Sequence, residues 1–194
     1  PVDALLQYPV LKATRGAIEA ENTVVVGVRP RADLRDLRRE HPMVITKLVA
    51  AGATAIFIDL ALTAESDHDE DIARAIEEAK AAGVEVVLPI RFRGGEVYPP
   101  GSQAIRDVAD LGVVEFHNDL RYGWVRRAPV RKLTLSGEAY WHAAVLSVQN
   151  HTHDSREPRI VAGDLVVGHT RNPAWADRVY LHPVSDIPIV DYDK

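Results

Sequence analysis

One unit recurs three times along this chain: a helix, a glycine, then an apolar strand. "PMVITKLVAAG" leads into "ATAIFIDL", "DHDEDIARAIEEAKAAG" into "VEVVLPI", and "QAIRDVADLG" into "VVEFH", with Gly52, Gly83 and Gly112 at equivalent points. Strands alternating with helices of this length need right-handed crossovers. The unit therefore restricts the chain to an α/β fold with a mainly parallel central sheet flanked by helices. Pro42 suits a first helical turn, Val44, Ile45, Leu48 and Val49 share a face, and Gly52 is a stop. Asp67 and Glu70 have capping-box spacing ahead of a helix whose Ile72, Ile76 and Ala79 face inward. Ser102 can cap the third helix. "VVVGV" (24–28), apolar and β-branched, is expected to be a buried strand.

The pattern changes after Val113. Residues 113–130 read as an antiparallel hairpin, and "SGEAYWHAAVLSVQ" as one more amphipathic helix with Ser136 as its cap. From His151 onward only short strand-like runs remain between turns ("RIVA", "LVVG", "RVYL", "IPIV"). The expected architecture is one domain over residues 1–194: an α/β core over about 22–150 and a small β-rich end over about 151–194.

Composition narrows the function. With 46% hydrophobic and 26% charged residues the chain can build a real core. A net charge of −5 argues against a general nucleic-acid or anionic-membrane binder. The absence of cysteine excludes disulfides, zinc–thiolate sites, iron–sulfur clusters and a cysteine nucleophile. No run of about 18 apolar residues is present to span a membrane. The chain begins at Pro1 without a targeting segment, and is expected to be an excised piece of something longer.

No phosphate loop and no G-x-S-x-G elbow is present, so no cofactor is expected. Asp59 interrupts "AIFIDLAL" at the C-terminal end of a strand, where open α/β sheets bind ligands. The alternative role, and the favoured one, is a carboxylate that pairs with a nearby arginine or caps backbone amides. "FRGG" (92–95) reads as a turn that Arg91 and Arg93 flank, either a surface loop or a place to hold an anion. "RPRADLRDLRRE" (29–40) mixes signs at helical spacing and reads as a solvated face. "NHTHDS" (150–155) is the one metal-like cluster. His151, His153 and Asp154 are similar to the H-x-H-x-D-H pattern of metallohydrolases, but the aspartate comes one place too early. In "YGWVRRAP", neighbouring residues of a regular strand point to opposite faces. Arg126 would then share a face with Trp124, Ala128 and Val130 against the core, clamped by Asp59 or Glu115. Arg127 would lie on the other face, partly exposed.

Taken together, "VVVGV", "AAGATAIFIDL", "DEDIARAIEEAKAAG", "VEVVLPI", "LGVVEFHNDLRYGWVRRAPV" and "GEAYWHAAVLSV" resemble, in this order, the type-two CHASE domain. That family is the extracytoplasmic sensory module of bacterial adenylate cyclases, histidine kinases, diguanylate cyclases and serine/threonine kinases. The helix–glycine–strand that leads to an aspartate matches Gly52 to Asp59. The hairpin's glycine, valine, two arginines and proline match Gly123, Val125, Arg126, Arg127 and Pro129. The likeness covers about residues 22–150, and the tail loosely. Arg29 stands where the family usually has an acidic residue, and Tyr122 where an acidic residue precedes the hairpin glycine.

The resemblance implies a non-catalytic sensor outside the cytoplasmic membrane. A ligand or environmental signal would act through the parent protein's membrane helices on a cytoplasmic cyclase or kinase domain, with no nucleic-acid partner. A homodimer is compatible with this role. Asp59, Arg91, Arg93 and Arg126 are the ligand-binding candidates, and Arg91, Arg93 and Arg126 would meet a small anionic signal, since guanidinium groups bind carboxylate or phosphate bidentately. A metal-dependent hydrolase built on His151, His153 and Asp154 is the alternative. A third reading is pH sensing by the histidines between His151 and His182.

Overall fold

The computed structural model describes residues 18–19, 24–27, 34–115, 117–119, 124–152, 155–173, 178–180, 184–185 and 189–191. The chain forms two compact units, Pro1–Ala32 with Tyr180–Lys194, and Asp33–Val179. In the first, Ile18–Glu19 (β1) runs parallel to Val184–Ser185 (β15), and Val25–Gly27 (β2) parallel to Ile189–Asp191 (β16). The "VVVGV" strand therefore pairs with the "IPIV" segment, through Val25 to Ile189 and Val26 to Val190, but it is not the buried strand expected, since Val24 and Val25 are exposed.

The second unit is a mixed α/β structure, with four helices among the described residues. Ala55–Phe57 (β3) and Asp110–Val113 (β6) flank Glu85–Arg93 (β4), both parallel to it, and Glu96–Tyr98 (β5) adds antiparallel to the far half of β4. The four-stranded sheet is thus mixed. Its helices are Leu34–Ala50 (α1), Asp69–Ala81 (α2), Gln103–Val108 (α3) and Ala143–His151 (α4). Two of the recurring glycines stop helices as their spacing requires. Gly52 and Gly83 take φ +87° and +80°, and the N–H groups beyond them turn back, Ala53 to Leu48 O and Val84 to Ala79 O.

Strand β4 explains why its run reads as continuously apolar. Val86 and Leu88 join Ile45, Ile56, Ile72, Ile76 and Ile105 in one cluster under α1–α3, while Val87 is equally buried on the alternate face. Burial of each such side chain contributes roughly 1.5–3 kcal/mol. Helix α4 runs against all three parallel strands. Gly112 serves that contact and not a helix stop, because α3 ends at Val108 and the glycine already lies in β6. A Cβ on Gly112 would stand 2.6 Å from Ala143 Cα, so the missing side chain lets the start of α4 press onto the sheet.

Several expectations are corrected. The first long helix starts at Leu34, before Pro42, so the arginine-rich segment from Leu34 on is helix. Pro42 takes an N–H from the helix ladder, and Thr46 Oγ1 donates to the Pro42 carbonyl at 2.9 Å. "ATAIFIDL" yields only a three-residue strand with Phe57 43% exposed, because it lies at the sheet edge. Asp67 and Glu70 form no capping box. Asp69 Oδ2 accepts instead from Ser66 N at 2.9 Å, and its Oδ1 pairs with Arg38 Nη1 at 3.1 Å. Arg38 also donates to Ala64 O at 2.6 Å, so one residue of the expected solvated face is a partly buried tie between α1 and the loop before α2.

The largest correction concerns "SGEAYWHAAVLSVQ". Its first half is no helix: Ala139–Trp141 (β10) pairs antiparallel with Arg131–Leu133 (β9). Ser136 lies in the turn between them, with Thr134 Oγ1 2.8 Å from its hydroxyl and Gly137 at φ +87°. The helix begins only at Ala143. Its N-cap is His142, whose Nδ1 accepts from Ala144 N at 3.2 Å.

His117–Asp119 (β7) and Trp124–Pro129 (β8) form the expected antiparallel hairpin, but its register shifts. His117 opposes Arg127 and Asn118 opposes Val125, which leaves Arg126 as an extra residue on β8. Such a bulge breaks two-residue alternation, so the face assignment of Arg126 and Arg127 loses its basis. Beyond α4, Arg159–Val161 (β11), Asp164–Val167 (β12) and Thr170–Pro173 (β13) form an antiparallel meander. Leu165 and Val167 bury with Val130 and Val145 in a second cluster, which Trp141 and Ile160 join. Arg178–Tyr180 (β14) is a last short strand before β15.

Candidate functional site

A groove of about 1060 Å³ opens where four parts of the second unit meet. The N-terminal ends of β4 and β6 bring Glu85, Asp110 and Leu111. The last turn of α4 brings Leu146, Gln149 and Asn150. One face of the β9–β10 hairpin brings Arg131, Ala139 and Trp141, and the approach to β11 brings Ser155, Glu157, Pro158, Arg159 and Ile160. The hairpin register makes this face physical: Arg131 opposes Trp141 and Leu133 opposes Ala139, so these four side chains share one side.

The polar groups are held in place. Arg131 lies over the Trp141 ring, 5.8 Å from its centroid, a cation–π stack. Asn150 Nδ2 donates to Asp110 Oδ2 at 2.8 Å, and Gln149 Nε2 to the Arg156 carbonyl at 3.3 Å. Lys80 Nζ stands 3.7 Å from Glu85 Oε2. Trp141 and Ile160 also pack on the second apolar cluster, so the groove forms along the seam between sheet and meander. At the other end of α4, burial pushes the His142 imidazole down to about 4, so the cap works with a neutral ring.

The residues read from the sequence are not gathered at this groove. Asp59 follows β3, is exposed, and makes no hydrogen bond or ion pair among the described residues. Arg91 and Arg93 sit on one exposed face of the β4–β5 hairpin, opposite Tyr98 and Glu96. The turn between these strands is Gly94–Gly95, with φ +62° and +86°, as a two-residue hairpin demands. Glu115 pairs with Lys132, whose ammonium also lies 5.5 Å from the Phe92 ring. The side chains of Arg126 and Arg127 lie outside the described residues. So do His153, Asp154 and His182. His151 closes α4, and its Nδ1 lies 2.8 Å from Thr54 Oγ1. No group of three potential metal ligands occurs among the described residues.

The groove was missed because its walls come from segments far apart in sequence. One signal was available: alternation in "RKL" and "AYW" puts Arg131 and Trp141 on matching faces once a hairpin is assumed. No family model matches the chain, and neither the curated proteins nor the solved structures give a match. Among the described residues no helix is long and apolar enough to cross a membrane.

Proposed function

We propose that the chain is a non-catalytic sensor domain, a mainly parallel α/β core with antiparallel additions that takes its signal in the groove. The observation that carries this reading is the position of the groove. Its walls come from the sheet, from α4 and from a hairpin and meander that share a separate apolar cluster. A ligand seated there touches parts held by different packing, and one that binds one relative placement better shifts the population toward it. The resemblance to the type-two CHASE domain supports the remainder. The domain lies outside the cytoplasmic membrane of a bacterial signalling protein, and its change of state reaches a cytoplasmic cyclase or kinase through the parent's membrane helices.

A thermal-shift screen of metabolites and ions tests the reading. At least one small molecule is expected to raise the melting temperature saturably, and lining substitutions such as Glu157→Ala or Arg159→Gln to blunt the rise. A screen in which no compound acts, or in which lining substitutions change nothing, overturns it.

A further inference from the structure

We infer that the groove recognises a short peptide with free termini, its carboxylate toward Arg131 and Arg159 and its ammonium toward Asp110 and Glu85. This rests on the groove being the signal site. Both signs of charge line the groove. Arg131 and Arg159 stand on the β9–β10 hairpin and the meander, with Glu157 on the approach to β11 beside Arg159, and Asp110 and Glu85 stand at the N-terminal starts of β6 and β4, Glu85 3.7 Å from the Lys80 ammonium. The carboxylate wall adjoins the C-terminal turn of α4, whose aligned carbonyls favour a cation. Arg159 is exposed and makes no ion pair among the described residues, while Arg131 is oriented by its stack on Trp141. Guanidinium groups so placed suit a carboxylate. Asn150 occupies one Asp110 oxygen and leaves the other for a ligand N–H.

Size and lining choose among zwitterions. A volume of about 1060 Å³ exceeds what a single amino acid fills. Leu111, Leu146, Pro158 and Ile160 offer apolar wall between the charged ends, which suits the side chains of a di- or tripeptide. A nucleotide fits worse, because its phosphates would face the three carboxylates of Glu85, Asp110 and Glu157 and the negative end of a helix.

Calorimetric titration of the whole chain with the dipeptide Ala-Leu, its N-acetyl form and its C-terminal amide tests this. Free Ala-Leu is expected to bind, and capping either end to weaken binding about tenfold or more, the worth of one charge-assisted contact. Asp110→Asn, which keeps an acceptor for Asn150, should shrink the N-acetyl penalty and leave the amide penalty in place. Arg159→Gln should shrink the amide penalty and leave the N-acetyl penalty in place. Melting curves of the unliganded variants establish that they fold, and the capped series on the native chain decides the matter even where a variant does not. Equal affinity for free and capped peptides, or no binding of Ala-Leu, overturns the inference. Groove binding of some other compound in the metabolite screen would then leave the sensor reading standing.

Discussion

Acid should loosen the start of α4 through one residue, because His142 caps that helix only while its ring is neutral. Its Nδ1 accepts the Ala144 N–H, and the side chain is 4% exposed. Protonation removes the acceptor, places a charge in a dry site, and puts that charge at the positive end of a helix dipole. Burial lowers the pKa from 6.5 to about 4. Between these values the unfolded chain binds the extra proton and the folded chain does not. The stabilisation is therefore complete above about pH 6.5 and is lost as pH falls toward about 4. At about 1.4 kcal/mol per pH unit, the loss reaches about 2–3 kcal/mol. His142→Asn supplies a non-titrating cap in its place. Melting temperatures of both proteins, measured from about pH 7.5 to 4.5, should diverge in slope. The native chain should lose about 4–12 °C more than the variant over that range, at about 2–4 °C per kcal/mol for a chain of this size. Parallel curves would show that His142 does not carry the titration and would refute the reasoning.

Arg38→Met leaves Asp69 as a buried carboxylate without its cation and strips a donor from Ala64 O, and should cost about 3–5 kcal/mol by urea unfolding. Gly112→Ala drives a methyl against the backbone of Ala143, which cannot rotate aside, and should cost about 1–3 kcal/mol or more in the same assay. Leu165→Ala opens the second cluster and should cost about 2–4 kcal/mol, with a steeper loss of groove binding than of global stability. Exhaustive chelation is expected to leave the melting temperature unchanged. A fall that added zinc reverses would favour a metal site at His151, His153 and Asp154.

Legibility followed the physics of each segment. Helix α2 and strand β4 could be read because one buries a face at helical spacing and the other is buried on both faces. Gly52 and Gly83 could be read because a left-handed stop favours glycine. Gly112 looks identical in sequence, yet its cause is a backbone contact 31 residues away that no local pattern encodes. "EAYW" was mistaken for helix because Ser136 and Gly137 carry cap and turn signals at once, and only pairing with Arg131–Leu133 chooses between them. A histidine cap is rare enough that His142 gave no signal. The arginine pair was read by strict alternation, which the register shift in β8 breaks. The groove itself arises from tertiary packing between segments whose spacing in sequence is arbitrary.

The chain contains no cysteine, so a single Ser155→Cys change gives one labelling site, exposed and in the groove wall. A polarity-sensitive fluorophore there, read across the compounds that raise the melting temperature, tests most directly whether the signal enters the groove. The account predicts a saturable fluorescence change whose midpoint matches the thermal shift and which Arg159→Gln weakens. Compounds that stabilise the chain while leaving the fluorophore silent would place the signal elsewhere and contradict it.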